Sequence, residues 1–171
     1  MRRFIKMMIA ATCALVVAWG IHTFVVSGAV VKNQNMSPTL KNGERVIVSK
    51  IQTTFNLVKE NDMIMYRKGD HVYFGRVIAQ AGQSAAFKNH QLYRDDRRIA
   101  EPYVKHNTIK QLDLSTLKGS EGDIVPPNAY FVLNDRRENN TDSRTFGFIH
   151  NDDVIGTVNV TYYPFKDFEV Y

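Results

Sequence analysis

From Met7 to Val26 the chain runs twenty residues without a charge, and sixteen of them are Ala, Val, Ile, Leu, Met, Phe, Trp or Cys. At about 1.5 Å per residue a helix of that length spans about 30 Å, the thickness of a bilayer's hydrocarbon core. The pattern predicts a transmembrane helix over 7–26, a short tail over 1–6 and a separate body over 27–171. Beyond residue 32 the texture becomes strand-like. Short apolar runs lie at 45–49, 62–66, 71–78, 91–93 and 130–133, bounded by turn formers such as Asn42-Gly43 and Lys68-Gly69-Asp70. Val154, Gly156, Val158, Val160 and Tyr162 fall on alternate positions, the period of a strand with one buried face. No stretch of the body sustains the i, i+3, i+4, i+7 spacing of a helix. The charged run Arg94–Arg98 reads as a hairpin tip, and the polar stretch 106–122, with Gly119 and Gly122, as a surface excursion. The expected fold is a mostly β domain behind one N-terminal helix.

Charge sharpens that division. Residues 1–31 hold Arg2, Arg3 and Lys6 and no acid, so they carry +3 of the formal +5. The remaining 140 residues hold 19 basic and 17 acidic side chains, a near-balance that argues against a nucleic-acid-binding domain. Basic residues before the apolar run place the N-terminus in the cytoplasm and the body across the cell membrane, a single pass. The competing reading is a cleaved signal peptide ending near Ser27-Gly28-Ala29, which would release a soluble exported β-protein. A signal's apolar region usually runs about 7–15 residues, shorter than this one. The lone Cys13 rules out an internal disulfide and any zinc site needing several thiolates. The five histidines are scattered without ligand spacing, so no metal or cofactor is expected.

Three blocks carry the candidate chemistry. The first is Asn35-Met-Ser-Pro-Thr-Leu40 with Gly43-Glu-Arg-Val-Ile-Val-Ser-Lys50. The second is Tyr73-Phe-Gly-Arg-Val-Ile-Ala-Gln-Ala-Gly82. The third runs from Phe131 to Arg144 and holds Asn134-Asp-Arg-Arg137 and Asp142-Ser-Arg144. Their order behind an N-terminal apolar run resembles the type I signal peptidases of the small Gram-positive kind, over nearly the whole chain. The resemblance implies a largely antiparallel β domain held at the outer leaflet. It also implies a Ser/Lys dyad, with the serine in Ser-Met-x-Pro-Thr as nucleophile and the lysine in Tyr-x-Lys-Arg-Val as general base. That base must be neutral, although lysine starts near pKa 10.4. Burial can lower it by several units at roughly 1.4 kcal/mol each.

This chain departs at both dyad positions: Asn35 stands at the nucleophile's place and Gly75 at the base's. Asn140 replaces the serine that, in the family, helps hold the lysine. Met36, Pro38, Thr39, Tyr73, Arg76, Asp135, Asp142 and Arg144 keep the pattern. The expected function is therefore a catalytically inactive homologue with no catalytic residue. Met36, Ser37, Pro38 and Tyr73 are the substrate-groove candidates, and Arg76, Asp135, Asn140, Asp142 and Arg144 shape the surroundings. Implied partners are the membrane and either signal peptides of exported preproteins, bound as an added strand, or an active paralogue. The rival is an active serine endopeptidase with a displaced nucleophile, Ser37. Two residues of displacement moves the attacking oxygen by several ångströms, and a misplacement of about 1 Å costs about a hundredfold. Arg76 stays protonated and cannot act as its base, and Lys68 and Lys88 fall in expected turns. Asn139-x-Thr141 matches a glycosylation triplet, which carries no meaning in a bacterial protein.

Overall fold

The computed structural model describes residues 2–171, apart from the side chains of residues 17, 18 and 21–24. Met1 of the expected tail and those side chains of the expected span lie outside the described residues. The first element, α1 (Arg2–Phe24), takes in the basic tail as well as the apolar run. Arginine, lysine and methionine are good helix formers, and nothing in residues 2–6 stops the helix. It ends short of the expected Val26. β-Branched Val25 and Val26 join a sheet instead: the Lys50 N–H donates to the Val25 carbonyl at 2.9 Å, and Val26 opens β1 (Val26–Val30). Phe4, Met7, Leu15 and Trp19 stand exposed on α1. Among the described residues no helix is long and apolar enough to cross a membrane.

The body is β-rich. β2 (Arg45–Ser49) is followed by a one-turn helix, α2 (Ile51–Thr54), and then β3 (Met63–Lys68) and β4 (His71–Gln80). Next come β5 (Ala85–Lys88), β6 (Gln91–Arg94), β7 (Arg97–Ile99), β8 (Gln111–Asp113) and β9 (Ala129–Leu133). The chain closes with α3 (Ser143–Phe146), β10 (Ile149–His150), β11 (Val154–Tyr163) and β12 (Glu169–Val170). The larger sheet has the order β1-β2-β11-β3-β4-β9-β10, with β12 beside β11; the smaller has the order β7-β6-β5-β8. Both are antiparallel throughout. The charged run at 94–98 is a hairpin tip as expected, with Asp95 and Asp96 at φ +48° and +59°, the backbone of a tight two-residue turn.

The polar excursion and the last long strand also depart from expectation. The excursion 106–122 is not purely surface: Ile109, Leu114 and Leu117 are buried against the smaller sheet, and β8 pairs with β5. Its apolar residues are isolated, so no periodicity marked them. The alternation along β11 is also broken. Register shifts between Val158 and Val160 and between Thr161 and Tyr163 each add a residue, so Thr161 is buried while Val160 and Tyr162 are only half-buried.

β4 is the shared wall of the core. Phe74 packs with Val31, Met36, Leu40, Val46, Val48, Met63 and Met65. Tyr73 and Val77 turn to the other face, against Ile64, Tyr66, Tyr130 and Val132. Gly75 shares that second face, opposite Ile64 in the β3–β4 pairing. Met36, expected to line a groove, is wholly buried instead.

Candidate functional site

The three blocks converge on one carboxylate, that of Asp135. Arg76, buried on β4, donates to Asp135 twice, Nε to Oδ1 at 2.8 Å and Nη2 to Oδ2 at 2.6 Å, and its Nη1 donates to the Asn61 carbonyl at 2.8 Å. The Thr39 hydroxyl donates to Asp135 Oδ2 at 2.5 Å, tying the first block to the other two. The Tyr103 ring covers the guanidinium at 4.0 Å. Burial works against the Arg76 charge, but the hydrogen bonds and negative charge of Asp135 outweigh it and hold the guanidinium above its ordinary pKa. The ion pair is buried rather than solvated.

Asp142, also wholly buried, organises the third block. It accepts from the Asn134 N–H at 2.9 Å and the Arg144 N–H at 3.0 Å, the latter capping α3. The Arg144 guanidinium donates to both of its oxygens, at 2.9 and 2.7 Å. Ser143 Oγ accepts from the Val132 N–H at 3.0 Å, locking the block onto β9. Nearby, the fully buried Arg137 pairs with Glu101 at 2.5 Å, a contact with no sequence-local signal.

The two positions where a dyad would stand are both committed to packing. Asn35 is buried; its carbonyl accepts from the Arg136 N–H at 2.9 Å and its Oδ1 from Asn139 Nδ2 at 2.8 Å. Asn139 in turn accepts from the Thr141 N–H and hydroxyl, at 2.9 and 2.6 Å. The triplet set aside in the sequence is thus a side-chain-closed turn that holds Asn35. At Gly75 there is no room: a Cβ would stand 2.5 Å from Val132 Cγ1 and 3.3 Å from Tyr66 Cε1. Tyr66 is fully buried, and its hydroxyl has no hydrogen-bond partner among the described residues. Burial, then the Asp142 charge, pushes its pKa upward. Sequence reading missed Val132 and Tyr66, because each reads as an ordinary strand residue.

The remaining candidates separate. Asn140 is exposed, and its carbonyl accepts from the Thr145 hydroxyl at 2.6 Å. Ser37 lines a recess of about 120 Å³ with Lys105, His106, Asp135 and Arg136. Among the described residues no hydrogen bond joins its hydroxyl to a base. Lys68, expected in a turn, ends β3 and pairs with Asp153 at 2.7 Å. Tyr73 lines a much larger groove of about 880 Å³ that runs from β1 to β4, with Ala29, Met65, Phe74 and Ile155 among its apolar lining. Neither Ser37 nor Pro38 lines it. The bonds at Val25–Lys50 and Val31–Glu44 fix the parity of β1, so Val26, Gly28 and Val30 turn their N–H and C=O groups away from β2. Across the groove, β9 pairs with β4 only from Arg76 onward, leaving His71–Gly75 with a neighbour on one side.

A β-rich body with this buried block architecture defines a signal-peptidase-like scaffold, and comparison bears that out. The family model for signal peptidase, peptidase S26, matches residues 1–163. The chain belongs to that family. It is 46% identical over 170 residues to the inactive signal peptidase IA of Staphylococcus aureus (strain COL), covering 99% of this chain and 98% of that one. To signal peptidase IB of S. aureus (strain Mu50 / ATCC 700699) it is 31% identical over 180 residues, 98% of this chain and 94% of that one. A crystal structure of a signal peptidase I from Enterococcus faecalis V583 aligns with a TM-score of 0.53 at 28% identity, covering 58% of this chain and 95% of that one.

Proposed function

We propose that this chain is a catalytically inactive signal peptidase homologue that is anchored in the membrane and binds an extended peptide without cleaving it. The observation that carries the reading is the closed space at Gly75. A lysine base needs a pocket that strips its solvent, and here Val132 and Tyr66 occupy that volume. Asn35 supplies no proton whose loss makes a nucleophile at neutral pH, and its amide oxygen is held by Asn139. Loss of a serine nucleophile or its base in a comparable hydrolase costs on the order of a millionfold.

Binding does not depend on the dyad. The outward N–H and C=O groups of Val26, Gly28 and Val30 lie on the β1 side of the groove of about 880 Å³, so a signal peptide would add to the β1 edge. The anchor reading rests on α1, whose apolar side chains stand exposed behind Arg2, Arg3 and Lys6. It places the protein in the cell membrane, single-pass, with its N-terminus cytoplasmic and its body outside.

Purified full-length protein in vesicles tests both halves. The native chain should leave a preprotein intact while a photo-crosslinker at Tyr73 captures its signal peptide. Cleavage by the native chain that is abolished in Ser37→Ala would overturn the inactive reading. Absence of any adduct, beside an active family member that gives one, would overturn the binding reading.

A further inference from the structure

Arg137 has more donors than its ion pair satisfies. The side chain is fully buried, yet only Nη2 has a partner, Glu101 Oε1 at 2.5 Å; among the described residues Nε and Nη1 are buried with none. Glu101 does not make up the difference. Its oxygens also accept from the Tyr103 hydroxyl at 3.3 Å and from Asn107 Nδ2 at 3.2 Å. The Phe87 ring, 5.5 Å from the guanidinium carbon, offers no lone pair in the plane of those donors. Buried N–H groups without an acceptor are costly, and a guanidinium carries five donors and no acceptor of its own. Such a group calls for an anion or for water.

The surroundings favour the anion. Arg137 lines the recess of about 120 Å³ together with Ser37, Lys105, His106, Asp135, Arg136 and Glu138. Both carboxylates there are already matched, Asp135 by Arg76 and Thr39 and Glu138 by Arg136 at 3.1 Å. Among the described residues Lys105 makes no ion pair and the Ser37 hydroxyl no hydrogen bond. The first block thus brings a hydroxyl, the connection between β7 and β8 an ammonium, and the third block a guanidinium. Donors arriving from three separate segments suit a tetrahedral anion, whose oxygens point in different directions, better than a planar carboxylate. We propose that this recess binds a small inorganic oxyanion of the phosphate or sulfate kind, held by Arg137, Lys105 and Ser37. The recess shares no lining residue with the groove of about 880 Å³, so the site is separate from the one proposed for a peptide. An anion there would tie the first block to the third, beside the bond from Thr39 to Asp135.

The test titrates full-length protein in detergent with sodium phosphate, at an ionic strength held constant with sodium chloride, and follows heat and melting temperature. The expected result is one saturable site and a melting temperature that climbs with phosphate, because a ligand bound only by the folded state stabilises it. Sulfate should act as phosphate does, and acetate should bind at least about tenfold more weakly. Lys105→Ala removes a charge-assisted contact and should weaken phosphate about tenfold or more, while Ser37→Ala removes a neutral one and should weaken it about two- to tenfold. Both variants should melt like the native chain in chloride alone, and Lys88→Ala, outside the recess, should leave the affinity unchanged. A response to phosphate no larger than that to chloride would leave the recess to water and overturn the proposal. Phosphate binding that neither Lys105→Ala nor Ser37→Ala weakens would lie elsewhere on the chain and overturn it as well. Acetate bound as tightly as phosphate would make this a carboxylate site, and glycerol 3-phosphate bound more tightly than phosphate would make it a seat for the head of a larger molecule; either would overturn the inorganic-ion assignment.

Discussion

If the space of a lysine base has been closed by Val132, a single methyl at position 75 should already be felt. In Gly75→Ala the new Cβ would stand 2.5 Å from Val132 Cγ1, against an ordinary carbon–carbon contact of about 3.5–4.0 Å. Neither strand yields easily, because β4 lies between β3 and β9, and Val132 on β9 also bonds Ser143. Valine is stiff at χ1, so the clash is relieved only by an off-rotamer side chain or a backbone shift. Overpacking of that kind costs about 1–3 kcal/mol. Replacing glycine returns about 0.5–1 kcal/mol through the unfolded chain. The net is a loss of about 1–2 kcal/mol, a fall in melting temperature of about 2–8 °C for a chain this size. Val132→Ala alone removes two buried methyls and costs about 2 kcal/mol. The two together should cost at least about 1 kcal/mol less than their sum, since each relieves the other's defect. Thermal or urea unfolding of all four proteins in one detergent closes the cycle. Additivity within about 0.5 kcal/mol, or a stabilised Gly75→Ala, would refute the claim that Val132 fills the vacated space.

Removing the charge that faces buried Arg137, with Glu101→Gln, should cost about 3–5 kcal/mol in urea unfolding, because it strands a guanidinium away from water. A loss under about 1 kcal/mol would mean the pair is solvated. Tyr66, Tyr103 and Tyr171 all have raised pKa values, chiefly from burial, with Tyr171 pushed up to about 12. Unfolded tyrosine ionises near 10, so their stabilising effect is complete below about pH 10 and lost as pH rises through the folded values. Unfolding midpoints should therefore fall above pH 10, and Tyr66→Phe should flatten that fall; an equally steep fall in the variant would refute Tyr66's share. Asn139→Ala removes both the tether on Asn35 and the turn closed on Thr141, and should cost about 1–2 kcal/mol in the same assay.

Much of the fold was legible because its signals are local. The apolar run, the β2, β3, β4 and β9 strands and the Asp95-Asp96 hairpin tip each announce themselves within a few residues. β1, β5, β7, β8, β10 and β12 did not, since each is short and gains its pairing from a distant neighbour. The site divides the same way. Asp135 and Arg76 lie 59 residues apart, yet their place within matching blocks made the pair readable. Val132 and Asn139 lie in the third block as well, yet nothing in it says which side chain each one meets, and Glu101 lies outside the three blocks; what they do is set by the side chain across from them.

The sequence by itself determined the division into apolar helix and β body, the family blocks, and the replacement of a nucleophile and a base by Asn35 and Gly75. Those are statements about residue type and order, and chain chemistry alone supports them. Only the tertiary structure decided that Val132 and Tyr66 fill the space beside Gly75, that Asn139 holds Asn35, and that Met36 lies in the core rather than the groove. Close packing is the reason. A vacated site in a dense interior is closed by residues from other strands, and their distance from it is a property of the fold and not of any segment.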